Sequence, residues 1–413
     1  MSSLLITDIK GLAGTHPAET ALLRGDQMAT LPVLRNSWLL IEDGRIKDFG
    51  QMGNTCPEMP AAATISARDK YVIPSWCDSH THLVFAASRE EEFVMKISGK
   101  SYEEIAAAGG GILNSAKKVQ QAREEYLFES ASRRLDEVIR LGTGAIEIKS
   151  GYGLTEEAEL KMLRVIRRIK ETSPIPVKAT FLGAHAYPAE YRTDHERYLD
   201  ILIDRLIPKV ADEDLAEYID VFCENGFFSV DESNRILEAA ARYGLKPKIH
   251  VNQLSVSGGV QLGVKHHAVS VDHLEMMDEA AVRSLNGVDT IATLLPSCSL
   301  FLGIPFADAR SLIRANAAVA LASDFNPGST PSGNMNLVVA LACMRQKMLP
   351  EEAINAATLN GAAAMELGDH YGSIGKGKVA NLIVTKEIPS LAYLPYAFGS
   401  DLIDKVIVNG NIY

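Results

Sequence analysis

Between residues 71 and 323, apolar runs that favour β-strands alternate with amphipathic stretches that favour helices. The predicted strands cover residues 71–77, 145–149, 176–182, 218–223, 246–250, 269–272, 289–295 and 318–323. Helical segments between successive strands are typical of parallel sheets, because a parallel connection has to cross the sheet. Eight such repeats over about 250 residues have the size of a (β/α)8 barrel. We therefore predict an α/β barrel, and a doubly wound open sheet is the alternative.

The two ends of the chain have a different pattern from the middle. Both contain short β-prone runs separated by turns, and Asp43 and Gly44 lie between two such runs, as in a hairpin. The barrel separates the two ends in sequence, yet they can still pair with each other in space. We expect them to form one small satellite sheet.

Composition excludes several classes of partner. The formal net charge is −11 and there is no block of lysine and arginine, which argues against nucleic acid or an anionic membrane. No run approaches the roughly 18 to 20 apolar residues of a membrane span, and the N-terminus lacks the pattern of a signal peptide. The five cysteines are scattered, without a C-x-x-C pair, as is typical of reduced thiols. We expect a cytoplasmic protein that binds neither nucleic acid nor a membrane.

Residues that bind metals or transfer protons follow most of the predicted strands. In chain order they are Asp78, His80 and His82 after the first strand, Lys149 and Tyr152 after the second, His185 after the third, His250 at the end of the fifth, Asp272 and His273 after the sixth, and Asp324 after the eighth. In a barrel these strand ends converge on one face, where the loops build the active site. Solvation alone does not account for so consistent a placement.

Four of these residues have the chemistry of a metal site. His80 and His82 alternate along an extended segment, so both imidazoles point to the same side. Alone, such a pair is equally compatible with partly buried polar histidines, and Asp324 alone with a turn cap. With His250, however, they make three histidines and one carboxylate without cysteine, a set that suits a catalytic metal retaining a water. We therefore predict a metal site.

This arrangement resembles the amidohydrolase superfamily, metal-dependent hydrolases that have H-x-H after the first strand and Asp after the eighth. Within it, the chain is similar to the imidazolonepropionase family. The matching stretches are DSHTHLVF, SREEEF, SYEEIAAAGGGI, EIKSGYGL, FLGAHAYP, KIHVNQ, DHLE and ASDFNPGS. The resemblance implies a distorted (β/α)8 TIM barrel over residues 67–373 and a small β-sandwich built from residues 1–66 and 374–413. It also implies a homodimer.

The resemblance implies hydrolysis of the ring C–N bond of a small molecule, 4-imidazolone-5-propanoate, to N-formimidoyl-L-glutamate in histidine degradation. One divalent or trivalent ion, zinc or iron, would be held by His80, His82, His250 and Asp324. Such an ion lowers the pKa of bound water from about 15.7 towards ~7. His273 would orient the water and move protons, with Asp324 able to accept one. For His273 the alternative is a satisfied core histidine.

The propionate tail of this substrate needs a cation, and Arg89 fits because a guanidinium binds a carboxylate in a fork. The alternative is a surface arginine paired with the glutamates that follow it, which we interpret as a solvated helix start. Further positions that match substrate contacts of the family are Tyr152, His185, Asn326, Gly328 and Ser329. The glycines at 109–111 predict a loop near the site, because no phosphate-binding lysine pattern follows them.

Three positions depart from common patterns. Gln253 stands where amidohydrolases often have an acid–base glutamate, and an amide cannot transfer protons in that way. We expect Gln253 to hold a water or the substrate ring in the reaction. Lys149 follows the second strand, not the fourth, so we predict an unmodified lysine and a single metal ion. Ser75 replaces a usual glycine and predicts a local backbone difference.

Two other functions compete with this interpretation. The first is another amidohydrolase that acts on a cyclic amidine or amide, such as a guanine or cytosine deaminase, for which a carboxylate clamp at Arg89 has no use. The second is a barrel that has lost catalysis and serves as a scaffold. Retention of all four predicted ligands argues against the scaffold.

Overall fold

The computed structural model describes residues 3–53, 56–57, 63–100, 104 and 110–413. In chain order the strands are β1 Ser3–Ala13, β2 Val33–Glu42, β3 Arg45–Gln51, β4 Ala63–Ser66, β5 Lys70–Pro74, β6 Trp76–Asp78, β7 Thr143–Lys149, β8 Val177–Ala184, β9 Tyr218–Cys223, β10 Lys246–Val251, β11 Ser270–His273, β12 Ile291–Leu294, β13 Val319–Leu321, β14 Leu382–Glu387, β15 Ile403–Val408 and β16 Asn411–Ile412. Strands β6 to β13 form one sheet, and the remaining strands form a second.

The sheet of β6 to β13 is the predicted barrel. Each strand pairs in parallel with the next one along the chain. The ring is joined beyond β13, where the Asp324 amide donates to the His80 carbonyl at 3.0 Å and the His82 amide donates to the Phe325 carbonyl at 2.9 Å. The open-sheet alternative is therefore wrong, and the first and last strands meet at predicted ligand residues.

One predicted strand is two strands in the structure. Residues 71–77 divide into β5, in the terminal sheet, and β6, in the barrel, with Ser75 between them. The Ser75 amide donates to the Asn381 carbonyl at 3.0 Å, and the Trp76 amide donates to the Gly142 carbonyl at 2.9 Å. The chain thus passes from the terminal sheet to the barrel sheet at Ser75. Both halves are buried, so the apolar run continues across the break.

The second sheet combines both ends of the chain, as predicted. β1 pairs antiparallel with β2 and parallel with β4 and β5, and β5 pairs antiparallel with β14. Side chains from both chain ends share one core, including Leu39, Val72 and Leu382. The hairpin is confirmed as well: Asp43 and Gly44 have φ of 48° and 78°, which two-residue turns between twisted strands require. The domain boundaries at 66 and 374 stay a prediction.

Helices surround the barrel. They are Glu90–Ile97, Ile112–Gln121, Glu124–Arg140, Glu156–Thr172, His195–Ile201, Ile207–Asp212, Val230–Ala241, Gly259–Lys265, Glu279–Ser284, Pro296–Leu302, Ala309–Arg314, Met335–Gln346, Pro350–Ala357, Leu359–Ala363 and Tyr393–Tyr396. Glu156–Thr172 is representative: the Thr155 hydroxyl accepts from the Ala158 amide, and Leu163 and Ile166 are buried. Within the described ranges, no helix has the length and apolar character to cross a membrane.

Candidate active site

The predicted metal ligands converge at the carboxyl-terminal ends of the barrel strands. His80, His82 and His250 are buried, and one ring nitrogen of each lies within 4.8 Å of the others. The Nε2 atoms of His82 and His250 are 3.4 Å apart. Asp324 Oδ1 lies 3.5 Å from His82 Nε2 and 3.6 Å from His80 Nε2. Residues that are far apart in sequence therefore form one cluster.

Carboxylates orient two of these imidazoles. His80 Nδ1 lies 2.6 Å from Asp272 Oδ2, and His250 Nδ1 lies 2.9 Å from Asp220 Oδ2. A carboxylate acceptor holds the proton on Nδ1, which leaves the lone pair of Nε2 directed at the cluster. Asp220 was not recognised from the sequence, and Asp272 was noted only as a residue at a strand end. In the structure each of these carboxylates contacts the Nδ1 atom of a predicted ligand, on the side of the ring away from the cluster.

A buried lysine lies between these two carboxylates. Lys149 Nζ is 2.8 Å from Asp220 Oδ2, 3.7 Å from Asp272 Oδ2 and 2.6 Å from Glu147 Oε1. Burial lowers the pKa of Lys149, but the carboxylates of Asp220, Glu147 and Asp272 outweigh it and raise the pKa, so the ammonium stays charged. Lys248 completes the group through an ion pair with Glu147. The contacts of Lys149 support the prediction that it is unmodified.

The donor atoms of the cluster fit a metal ion. His80 Nε2 is buried and has no hydrogen-bond partner among the described residues. Burial lowers the pKa of His80 and His82 well below the ordinary value and that of His250 to about 3, although Asp220 opposes the shift of His250. The three rings are therefore neutral and present lone pairs to a shared centre. Imidazole nitrogens with one carboxylate suit a borderline ion such as zinc or iron.

His273 lies beside this cluster, with its ring centroid 5.3 Å from that of His250. Its φ is 89° and that of Asp324 is 57°, which is unusual for residues with side chains and typical of functional positions. His273 Nδ1 is 3.5 Å from Glu275 Oε1. Burial lowers the pKa of His273, but the Glu275 carboxylate, with smaller contributions from Asp324 and Asp272, outweighs it and raises the pKa. His273 is thus suited to hold a proton near neutral pH.

Two aromatic residues form a wall next to the cluster. The His185 ring stacks on that of His82, with centroids 5.3 Å apart and planes inclined by 15°. His185 Nδ1 lies 3.0 Å from the Gly151 carbonyl, and burial lowers the pKa of His185 to about 4. The Tyr152 hydroxyl donates to Asn326 Oδ1 at 3.4 Å. The structure therefore places Tyr152 and His185 beside the cluster, and their contact with a substrate stays a prediction.

The loop after β13 holds the Asp324 carboxylate. Asn326 Oδ1 accepts from the amides of Gly328 and Ser329, both at 2.8 Å. The Ser329 hydroxyl donates to Asp324 Oδ2 at 3.1 Å. One oxygen of Asp324 thus faces the histidines, and the other is held by this loop.

Arg89 lies against the same loop. A Cβ atom on Gly328 would be only 2.2 Å from Arg89 Nη1, so a larger residue at this position would displace the guanidinium from its present place. On its other edge, Arg89 Nε and Nη2 donate to Glu92 Oε2 at 2.8 and 2.6 Å. Glu92 Oε1 in turn accepts from the Gly111 amide at 3.1 Å. Gly110 and Gly111 belong to the predicted glycine loop, whose position 109 lies outside the described residues.

These contacts correct one interpretation from the sequence. Glu90 and Glu91 are exposed at the start of a helix, as expected, but the side chain of Glu92 is only 14% exposed. Glu92 lies one helical turn from Arg89, which allows the ion pair. It therefore fixes the guanidinium and is not part of a solvated helix start.

Gln253 follows β10 and is half-buried. Its Nε2 donates to Cys298 Sγ at 3.4 Å. Cys298 is fully buried in the first turn of the helix Pro296–Leu302. The sequence indicated only that this cysteine is reduced. Its position at the site depends on a loop contact that no motif signals.

Comparison with known proteins places the chain in a family. Residues 71–413 match the amidohydrolase family. The chain belongs to the amidohydrolase family. Curated relatives named imidazolonepropionase are 57% identical over 410 residues in Christiangramia forsetii (99% of this chain, 100% of the relative) and 55% over 408 residues in Flavobacterium johnsoniae (99% of both). A third, from Clostridium tetani, is 43% identical over 390 residues (94% of this chain, 93% of the relative).

Solved amidohydrolase-like structures share the fold. The guanine deaminase of E. coli has a TM-score of 0.73 at 14% identity, covering 100% of this chain and 99% of the deaminase. The 5-methylcytosine deaminase of Klebsiella pneumoniae with 5-fluorocytosine has a TM-score of 0.74 at 16% identity, covering 99% and 96%. At these identities the likeness concerns fold alone. Family membership confirms the predicted barrel and the predicted class of enzyme, a hydrolase that acts on C–N bonds.

Proposed function

We propose that this amidohydrolase opens the ring of 4-imidazolone-5-propanoate to give N-formimidoyl-L-glutamate, a step of histidine degradation. The observation that carries the substrate is Arg89, a cation held against Gly328 in the loop that holds Asp324. An anionic tail needs such a cation, whereas a deaminase of neutral bases does not. The full-length relatives named imidazolonepropionase support the same substrate.

We propose a single metal ion, zinc or iron, with His80, His82, His250 and Asp324 as its ligands. An ion at these residues supplies a nucleophilic water near neutral pH and polarises the ring carbonyl. The carboxylates behind the histidines keep the Nε2 lone pairs available. Lys149 remains an ammonium that balances these carboxylates.

Asp324 and His273 are proposed to move the protons. Asp324 accepts a proton from the attacking water, and burial supports this by raising the pKa of Asp324. His273 donates a proton to the ring nitrogen as the C–N bond breaks, since the carboxylates around it favour its charged form. The water oxygen ends in the new carboxylate. Gln253, an amide, holds the ring or a water by hydrogen bonds.

The remaining site residues bind the substrate. Glu92 occupies the Nε and Nη2 edge of Arg89, so the Nη1 side is the one proposed to meet the propionate. Tyr152 and His185 form the wall beside the ring. Asn326, Gly328 and Ser329 are proposed to contact the glutamate end of the product. We further propose that the enzyme is a cytoplasmic homodimer. In each chain the barrel domain is proposed to cover residues 67–373, and the small β-domain residues 1–66 and 374–413.

A direct assay tests this function. The purified holoenzyme is expected to remove the ultraviolet absorbance of imidazolonepropionate and to contain about one equivalent of metal per chain. Ammonia release from guanine or cytosine is measured in parallel. Ammonia release without turnover of imidazolonepropionate would contradict the proposal. Sedimentation of the same sample measures the oligomeric state.

A further inference from the structure

A second group of metal-binding side chains lies beside the predicted ligands. One donor atom each from His273, Glu275 and Cys298 lie within 4.8 Å of one another, and all three residues are buried. Among the described residues, these are the two groups of three or more histidine, cysteine or carboxylate side chains placed to share a metal ion. The second differs from the first in chemistry, because it contains a thiol.

Two metal-binding atoms of this second group are buried without a hydrogen-bond partner among the described residues. Glu275 Oε1 accepts from the Ser299 hydroxyl at 3.0 Å, whereas Glu275 Oε2 has no hydrogen-bond partner among the described residues. His273 Nδ1 likewise forms no hydrogen bond within those residues and faces Glu275 Oε1 at 3.5 Å. A buried carboxylate oxygen without a donor is costly. A cation between these atoms would satisfy both.

The backbone holds the three side chains in place. His273 and Leu274 both have positive φ, 89° and 68°, so the chain turns sharply between His273 and Glu275. Cys298 is fixed in the first turn of its helix, where its amide donates to the Leu295 carbonyl at 3.0 Å. The donor set of one thiol, one imidazole and one carboxylate therefore needs little rearrangement to bind an ion.

We propose that His273, Glu275 and Cys298 form a second, inhibitory site for a thiophilic divalent cation such as Zn²⁺ or Cd²⁺. Thiolate and imidazole together select such ions over Mg²⁺ or Ca²⁺. On binding, the sulfur–metal bond replaces the S–H bond of Cys298, and the proton leaves to solvent. Burial and the Asp324 and Glu275 carboxylates raise the pKa of the Cys298 thiol, so the ion has to displace its proton; the same two carboxylates attract a cation to the sulfur. The inhibitory effect rests on the proposed function, in which His273 donates a proton to the ring nitrogen. A cation bound to the His273 ring takes the place of that proton.

Cadmium titration of the holoenzyme tests the site. The readouts are metal content, the ultraviolet absorption of a thiolate–cadmium bond, and turnover of imidazolonepropionate. The first site contains no cysteine, so cadmium bound there gives no thiolate absorption, and the variants below separate Cys298 from the other thiols. We expect one further equivalent of Cd²⁺, thiolate absorption, and a loss of turnover of at least about tenfold, since one general acid–base group contributes about 10²–10⁴-fold.

Three variants make the test specific. Cys298→Ser keeps an acceptor for Gln253 and removes the soft ligand, so thiolate absorption and the second equivalent should disappear, and cadmium should no longer slow turnover relative to the variant's own rate. Cys56→Ser/Cys343→Ser removes the two partly exposed thiols and should behave like the wild type. If Cys298→Ser does not fold, Glu275→Gln is used, and it should weaken the second equivalent at least about tenfold, since loss even of an outer-shell carboxylate lowers metal affinity by about 10–100-fold.

The outcomes separate this site from the proposed reaction. Absence of thiolate absorption in the wild type, or its persistence in Cys298→Ser, would overturn the second site. Thiolate absorption with unchanged turnover would overturn its inhibitory role. Thiolate absorption in a protein that never turns over imidazolonepropionate would support the site and overturn only the proposed substrate.

Discussion

Two regions of the barrel use charged residues in different ways. The inner layer lies below the histidines, and its ion-paired side chains are fully buried. The mouth lies above them, and its Arg89–Glu92 pair is partly exposed, at 16% and 14%. The inner layer consists of Glu147, Lys149, Asp220, Lys248 and Asp272. The mouth consists of Arg89, Glu92, Asn326, Gly328 and Ser329.

The difference in burial separates two tasks. Removing one partner of a buried pair leaves an uncompensated charge and costs about 3–5 kcal/mol, whereas an exposed pair contributes about 0–1 kcal/mol. The inner layer is therefore a fixed support for the histidine cluster, in which each charge depends on the others. The Arg89–Glu92 pair keeps some contact with solvent, so a change there is expected to affect the mouth more than the cluster.

Asp324 lies between the histidines and the mouth, so its substitution should have the largest effect. Oδ1 faces the histidines, and Oδ2 accepts from the Ser329 hydroxyl. Asp324→Asn keeps the size of the side chain but removes both an anionic ligand and the proposed proton acceptor. We expect kcat to fall by about 10²–10⁴-fold or more, with the protein still folded. Steady-state kinetics at saturating metal measure this, and Ser329→Ala, which removes a hydroxyl that donates to Asp324 Oδ2 but keeps the carboxylate, is the milder comparison. Near-normal turnover of Asp324→Asn would refute its role.

Lys149→Met tests whether the buried charges of the inner layer depend on one another. The substitution leaves the carboxylates of Glu147, Asp220 and Asp272 without their shared cation. We expect the free energy of unfolding to fall by about 3–5 kcal/mol, and metal affinity to fall by about 10–100-fold because Asp220 and Asp272 no longer hold the histidines. Denaturant titration and chelator competition measure the two effects.

A surface pair is the control for Lys149. Arg164 pairs with Glu213, and both side chains are more than a third exposed, at 40% and 35%. Arg164→Met should change the free energy of unfolding by no more than about 1 kcal/mol and leave metal affinity unchanged. Equal effects of the two substitutions would contradict the distinction between the inner layer and the surface.

The fold and the clustering of the three histidines with Asp324 were predictable because they follow from local patterns. Apolar runs placed all eight barrel strands, and parallel strands bring their ends to one face, so His80, His250 and Asp324 could be expected to meet. The break at Ser75 was missed because no turn residue interrupts an apolar run that is buried in two sheets. In such places hydrophobicity alone does not show where one sheet ends.

Glu147, Asp220 and Lys248 of the inner layer were missed for a different reason. They lie inside predicted strands, away from the strand ends where active-site residues are expected. Opposite charges in the middle of otherwise apolar parallel strands are a usable signal, since buried charges are paired. Cys298 offers no such signal, because its contact with Gln253 depends on how two loops pack.

Arg89→Ala tests the mouth. If Arg89 binds the propionate in both ground and transition states, its loss should mainly raise KM, with kcat little changed. A hydrogen-bonded charge contributes about 1.5–3 kcal/mol, which corresponds to a KM roughly 10–100-fold higher. Glu92→Gln, which weakens only the support of Arg89, should raise KM less. An unchanged KM for Arg89→Ala would refute the clamp, and metal content should stay normal in both variants.

The smallest expected effect is a change in pH dependence at His273. The Glu275 carboxylate outweighs burial and raises the pKa of His273, so the protonated form persists to higher pH. If protonated His273 donates to the leaving nitrogen, kcat/KM falls as pH rises through this pKa. Glu275→Gln removes the negative charge and lowers the pKa, so the alkaline limb of the profile should move to lower pH. Ser299→Ala removes only a hydrogen bond to Glu275 and should move it little. A limb that stays in place in Glu275→Gln would assign the proton donor to another group.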